Sequence, residues 1–125
     1  MKVKKVLVVE DNEKNMYLIS FILEKMGHCV LQADTGEKGI ELALREEPDL
    51  ILMDIQLPGI DGLEATKRIR QSGDVPIIAI TSFAMTGDRE RLLAVGCNGY
   101  IEKPINPETI MGQIASYLER SEDKQ

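Results

Sequence analysis

Histidine occurs once, at position 28, and cysteine twice, at positions 29 and 97. A single histidine cannot build a histidine-rich metal site, and His28 is assigned no role. The two cysteines stand far apart and form no CxxC pair. They are expected to be reduced, mostly buried thiols of a cytosolic protein. No apolar segment approaches the roughly 20 residues of a membrane span. The run Val6 to Val9 is too short for the core of a signal peptide and stops at Glu10-Asp11. Net positive charge is also lacking: 21 acidic residues outweigh 15 basic ones for a formal net charge of -6, and beyond the basic N-terminus, Met1 to Lys5, no Lys/Arg run suggests a local basic patch. Nothing would offset the repulsion of a phosphate backbone, so no direct contact with nucleic acid is expected, and none with a membrane. A soluble, cytoplasmic protein is expected.

The remaining composition is that of an ordinary globular chain, 43% hydrophobic and 29% charged. Its length suits one domain, able to bury roughly two-thirds of the unfolded surface. Apolar runs and helical patterns alternate from end to end. Val6-Leu7-Val8-Val9 reads as a strand buried on both faces. Leu18, Ile19, Ile22, Leu23 and Met26 recur at helical spacing, and Gly27 stops that helix. Cys29-Val30-Leu31 reads as a second strand. Thr35 caps a helix carrying Ile40, Leu42, Ala43 and Leu44, which ends before Pro48. Leu50-Ile51-Leu52-Met53 is a third strand, followed by the loop Pro58-Gly59-Ile60-Asp61-Gly62.

Asp61 and Glu64 have the spacing of a capping box for a helix through Arg70. Ile77-Ile78-Ala79-Ile80 is a fourth strand introduced by Pro76. A helix over Asp88 to Val95 ends at Gly96, and Tyr100-Ile101 form a short last strand. Asn106-Pro107-Glu108 starts a final helix that runs to about Arg120. Residues 1–120 are therefore expected to form the domain, and 121–125 a polar tail. Five βα units demand an α/β architecture: a three-layer sandwich around a parallel sheet with right-handed crossovers. Ligands of such sheets bind outside the carboxyl ends of the strands.

The residues at those ends share a chemistry. The first strand ends in Glu10-Asp11, the third in Asp54, the fourth in Thr81-Ser82, and the last is followed by Lys103-Pro104. Carboxylates crowded together repel, and burial strengthens the repulsion, unless a cation occupies the cluster. All-oxygen ligands favour Mg²⁺, which binds a few carboxylates and phosphate oxygens while keeping several waters.

With these residues in place, the chain resembles the response regulator receiver domain, the CheY-like family. The strings that carry the resemblance are VLVVEDN (6–12), PDLILMDIQLPGIDG (48–62), VPIIAITS (75–82) and GYIEKPI (99–105), and it spans about residues 4–119. EDN after the first strand and FAMTGD ahead of the fourth helix are most similar to stand-alone receivers of the DivK type and to receivers of hybrid histidine kinases. The resemblance implies a flavodoxin-like five-stranded sheet in the order 2-1-3-4-5. It implies a phosphorylation switch of a two-component or phosphorelay system rather than an enzyme. Asp54 would accept the phosphoryl group. Glu10, Asp11, Asp54 and the carbonyl of Gln56 would hold Mg²⁺, and Lys103 would contact the phosphoryl group. Thr81 and Tyr100 would be the switch pair, and Lys103-Pro104 a cis peptide.

The resemblance also implies partners. A histidine kinase or histidine phosphotransferase would donate at a face including Asn12, Asn15, Met16 and Pro104. A downstream protein would read the side formed by the fourth helix, fifth strand and fifth helix, where Leu93, Met85, Tyr100 and Ile105 would form an apolar patch. Gln56 and Phe83 would flank the line along which water removes the phosphoryl group. Both a stand-alone receiver and one excised from a hybrid kinase fit the sequence. A Mg²⁺-dependent aspartyl-phosphate phosphatase would want a second Asp where Gln56 stands. A flavodoxin-type flavin protein would want a Ser/Thr/Gly-rich phosphate loop where Glu10-Asp11-Asn12 stands.

Overall fold

Continuous apolar runs become the central strands because both of their faces are covered. The computed structural model describes residues 3–82 and 86–123. Its elements are β1 Lys5–Val9, α1 Glu13–Lys25, β2 Cys29–Ala33, α2 Gly36–Glu46, β3 Leu50–Asp54, α3 Gly62–Arg70, β4 Ile77–Thr81, α4 Thr86–Ala94, β5 Gly99–Glu102 and α5 Pro107–Asp123. The strands form one parallel sheet in the order β2-β1-β3-β4-β5. β3 and β4 are buried throughout, whereas the edge strands β2 and β5 are only partly so.

Alternation along the strands sorts the core into two halves. Leu7, Val9, Ile51, Met53, Ile77 and Ala79 face one way, onto Leu42, Ala43, Ala65, Ile69 and Leu92 of α2, α3 and α4. Val6, Val8, Leu50, Leu52, Ile78 and Ile80 face the other, onto Ile19, Ile22, Leu23, Ile110, Ile114 and Leu118 of α1 and α5. These are the three expected layers, and a parallel sheet brings every strand's carboxyl end to one edge. Among the described residues, no helix is long and apolar enough to cross a membrane.

The punctuation is physical. Asn12, Thr35 and Asp61 each accept a backbone N–H three residues on, at the starts of α1, α2 and α3. Asn106 accepts from the Glu108 N–H at the start of α5. Gly27 and Gly96 carry positive φ, 91° and 109°. The chain folds back there, His28 N–H to Leu23 and Cys97 N–H to Leu92, both 3.0 Å. Those are the wraps that satisfy the last carbonyls of α1 and α4.

Several details depart from expectation. α5 continues to Asp123, past Arg120, since Ser121-Glu122-Asp123 contains neither proline nor glycine to stop it. α4 starts at Thr86, two residues early. Glu64 does not complete a capping box; its carboxylate takes Arg68, one turn on, at 3.1 Å. Cys97 is buried, but Cys29 is exposed, because it opens an edge strand. His28 is buried and plays a structural part, since its Nδ1 accepts the Lys4 N–H at 3.1 Å. Burial, and then the nearby Lys4 charge, hold its pKa below the ordinary histidine value.

Candidate functional site

Strand pairing fixes the floor of the site. Glu10 follows β1, with its own N–H bonded to the Ala33 carbonyl of β2. Asp54 is the last residue of β3, and each of these two carboxylates is 1% exposed. Glu10 Oε2 accepts the Asn12 N–H at 3.1 Å. Asp54 Oδ1 accepts from the Gln56 N–H at 3.0 Å and from Lys103 Nζ at 3.2 Å. Glu10 Oε1 and Asp54 Oδ2 are buried without a hydrogen-bond partner. Lys103 Nζ lies 3.9 Å from Glu10 Oε1, close enough for charge attraction but too far to hydrogen-bond. Asp11 is exposed, and one oxygen from each of Glu10, Asp11 and Asp54 lies within 4.8 Å of the others.

Two buried acids so placed cannot both ionise cheaply. Glu10 is pushed up to about 7, first by burial and then by Asp54 beside it; the Asn12 N–H and Lys103 pull the other way. The fit to a hard divalent cation rests on the two orphaned oxygens. A buried acceptor without a donor is costly, and a cation relieves that cost. The three acids supply only oxygen donors, as Mg²⁺ prefers.

Thr81 is buried at the end of β4, and its carbonyl accepts the Lys103 N–H at 2.8 Å. That bond ties the lysine's backbone to the neighbouring strand, and the Lys103–Pro104 peptide is cis, as the resemblance implied. Gln56 is exposed, and its side-chain oxygen accepts from Ser82 Oγ at 2.9 Å. Tyr100 is half-buried, and its hydroxyl accepts from the Arg89 guanidinium at 2.7 Å. The same guanidinium stands 5.2 Å from the ring centroid.

The structure thus brings Glu10, Asp11, Asp54 and Lys103 together, with Thr81 at the neighbouring strand end. It separates the remaining candidates. Asn12 caps α1, Asn15 and Met16 are half-buried on that helix, and Pro104 is exposed beside Lys103. Leu93 is 54% exposed. Tyr100 and Ile105 are half-buried against different core clusters, so Leu93 is the exposed member of the apolar set among the described residues. Phe83 and Met85 lie outside the described residues. Met111 on α5, 42% exposed, carries no signal in the sequence. Gly62 carries little more, though its N–H donates to the Ile55 carbonyl at 3.1 Å directly against the Asp54 backbone. Its one signal is a place in a glycine-containing loop.

Comparison with known proteins gives one answer. The family model for the response regulator receiver domain matches residues 6–115. The chain is similar to the polar-differentiation response regulator DivK of Brucella ovis, 45% identical over 118 residues, covering 92% of this chain and 96% of the relative. The receiver domain of the sensor histidine kinase PA1611 from Pseudomonas aeruginosa superposes with a TM-score of 0.85 at 36% identity, over 94% of this chain and 99% of that one. It was crystallised with a magnesium ion coordinated in its active site cleft. The Vibrio cholerae chemotaxis protein CheY4 superposes with a TM-score of 0.88 at 28% identity, over 93% and 99%.

Proposed function

Because the chain belongs to the response regulator receiver domain family of phosphorylation-dependent signalling proteins, we propose that Asp54 is the phosphoryl acceptor of this switch. The observation that carries the reading is the pairing of two orphaned buried oxygens, Glu10 Oε1 and Asp54 Oδ2, with an ammonium on the other oxygen of Asp54. Glu10, Asp11, Asp54 and the Gln56 carbonyl would hold Mg²⁺, which would supply positive charge for the phosphoryl oxygens. The magnesium in the cleft of the P. aeruginosa receiver supports this choice of ion.

The donor is a phosphohistidine on a histidine kinase or histidine phosphotransferase, met at the face of Asn12, Asn15, Met16 and Pro104. A carboxylate oxygen of Asp54 attacks phosphorus, the P–N bond breaks, and the electron pair stays on the donor's imidazole. The protein's contribution is position and charge rather than covalent chemistry. Lys103 donates to one phosphoryl oxygen and the Thr81 hydroxyl to another. Drawing Thr81 toward the phosphoryl group frees space for Tyr100 to leave its place beside Arg89. A change from mostly inactive to mostly active asks for roughly 3–5.5 kcal/mol. Charge-assisted hydrogen bonds from Lys103 and Thr81 contribute to it. The changed face includes Leu93, Tyr100 and Ile105, and a downstream protein partner reads it.

Replacing Lys103 by methionine tests the cradle. Phosphoryl uptake from acetyl phosphate is expected to fall by about 10²- to 10³-fold, as when one preorganised donor is lost. Titration with Mg²⁺ should still saturate, because the carboxylates remain. Uptake at the wild-type rate would remove Lys103 from the reaction.

A further inference from the structure

The hydrogen bond from Ser82 Oγ to Gln56 Oε1, 2.9 Å long, joins a residue just beyond β3 to the residue just beyond β4. The strands place these two positions on neighbouring strand ends. Asp54 pairs with Ile80, and the Ile55 N–H continues the pairing to the Ile80 carbonyl at 3.1 Å. The Gln56 backbone is fixed in turn, because its N–H is held on Asp54 Oδ1. What remains free is the direction of its side chain, and Ser82 sets that direction. Both residues are exposed, whereas Asp54 is buried on the floor. The two therefore stand at the rim.

We infer that Ser82 is a positioning residue, which clasps the Gln56 carboxamide across the mouth of the site and slows hydrolysis of the phosphoryl group on Asp54. The inference rests on the reading of Asp54 as the phosphoryl acceptor. In that hydrolysis a water oxygen bonds to phosphorus. The bond from phosphorus to the Asp54 oxygen breaks, its electron pair returns to the carboxylate, and the water's proton leaves with phosphate or solvent. The attacking water must come in line, from the side opposite Asp54. From a buried aspartate that line runs outward past the rim. A clasped carboxamide narrows the approach, and its oxygen, already accepting from Ser82, is a poorer acceptor for the attacking water. Releasing it opens the mouth and frees a group able to orient water.

The test follows the decay of the aspartyl phosphate after removal of the phosphodonor. Ser82→Ala is expected to shorten the lifetime about fivefold, the factor to which one neutral hydrogen bond converts. Ser82→Thr keeps the hydroxyl and should keep the lifetime. In a Gln56→Ala background, Ser82→Ala should change nothing further, since the two side chains act as a unit. The Gln56 side-chain amide NMR signals of the unphosphorylated protein should also move on Ser82→Ala. An unchanged lifetime in Ser82→Ala, or the same acceleration without the Gln56 side chain, overturns the clasp alone. A wild type that takes up no phosphoryl group overturns both the clasp and the reading beneath it.

Discussion

Glu10→Gln is expected to stabilise the metal-free protein by about 3 kcal/mol near pH 8 and to change it little near pH 4.5. The carboxyl group titrates near 4.5 in the unfolded chain and about 7 in the folded one. Between those values the folded state holds a proton that the unfolded state has released, so stability falls as pH rises through the window. The gap of about 2.5 pH units corresponds to about 3 kcal/mol. Glutamine keeps the shape of the protonated acid and never ionises, so it escapes the loss. Mg²⁺ should restore the wild type at high pH, where it meets ionised Glu10, and should help Glu10→Gln much less. Urea denaturation at the two pH values, with and without Mg²⁺, measures both effects. Equal stability of the two proteins near pH 8 would mean that neither burial nor Asp54 raises the Glu10 carboxyl in the folded protein. Stability and function pull apart at this residue: the charge that weakens the fold is the charge proposed to hold the ion.

Gly62→Ala is expected to cost about 3 kcal/mol or more. A Cβ there would collide with the Asp54 carbonyl oxygen and approach the Ile55 Cα to 2.7 Å. These are backbone atoms at the end of a fully buried strand, so no side-chain rotation relieves the clash. α3 would have to move away, taking with it the Thr66 hydroxyl, which donates to the Gly62 carbonyl at 2.7 Å. Asp54 would shift as well, so Mg²⁺ affinity should fall together with stability. Gly73→Ala is the control, because nothing lies within 4 Å of its Cβ position. Chemical denaturation of the two variants decides the matter. A Gly62→Ala protein within about 1 kcal/mol of the parent would show that β3 and α3 can separate easily.

The parts of this fold legible in the sequence are those fixed locally. β1, β3 and β4 announce themselves because burial on both faces demands unbroken apolar runs. Asn12, given a donor-facing role only by the family resemblance, is in the structure the cap of α1. The site acids are legible because a charged residue ending such a run needs a reason. Other features depend on distances that arise only once strands pair. Ser82 reaches Gln56, and Gly62 touches Asp54, because β3 and β4 lie side by side. Arg89 finds the Tyr100 hydroxyl because α4 packs on β5. Glu64 takes Arg68 over the cap, a competition that spacing alone does not decide. The exposure of Cys29 is hidden because a short apolar run does not reveal which strand lies at an edge.

Phosphorylation of Asp54 is tested most directly by intact-mass measurement after incubation with acetyl phosphate, with and without Mg²⁺. The expected result is a gain of one phosphoryl group that requires Mg²⁺ and disappears in Asp54→Ala. A wild-type protein that gains no mass with Mg²⁺ present, or an Asp54→Ala protein that gains it as readily, would contradict the assignment of Asp54.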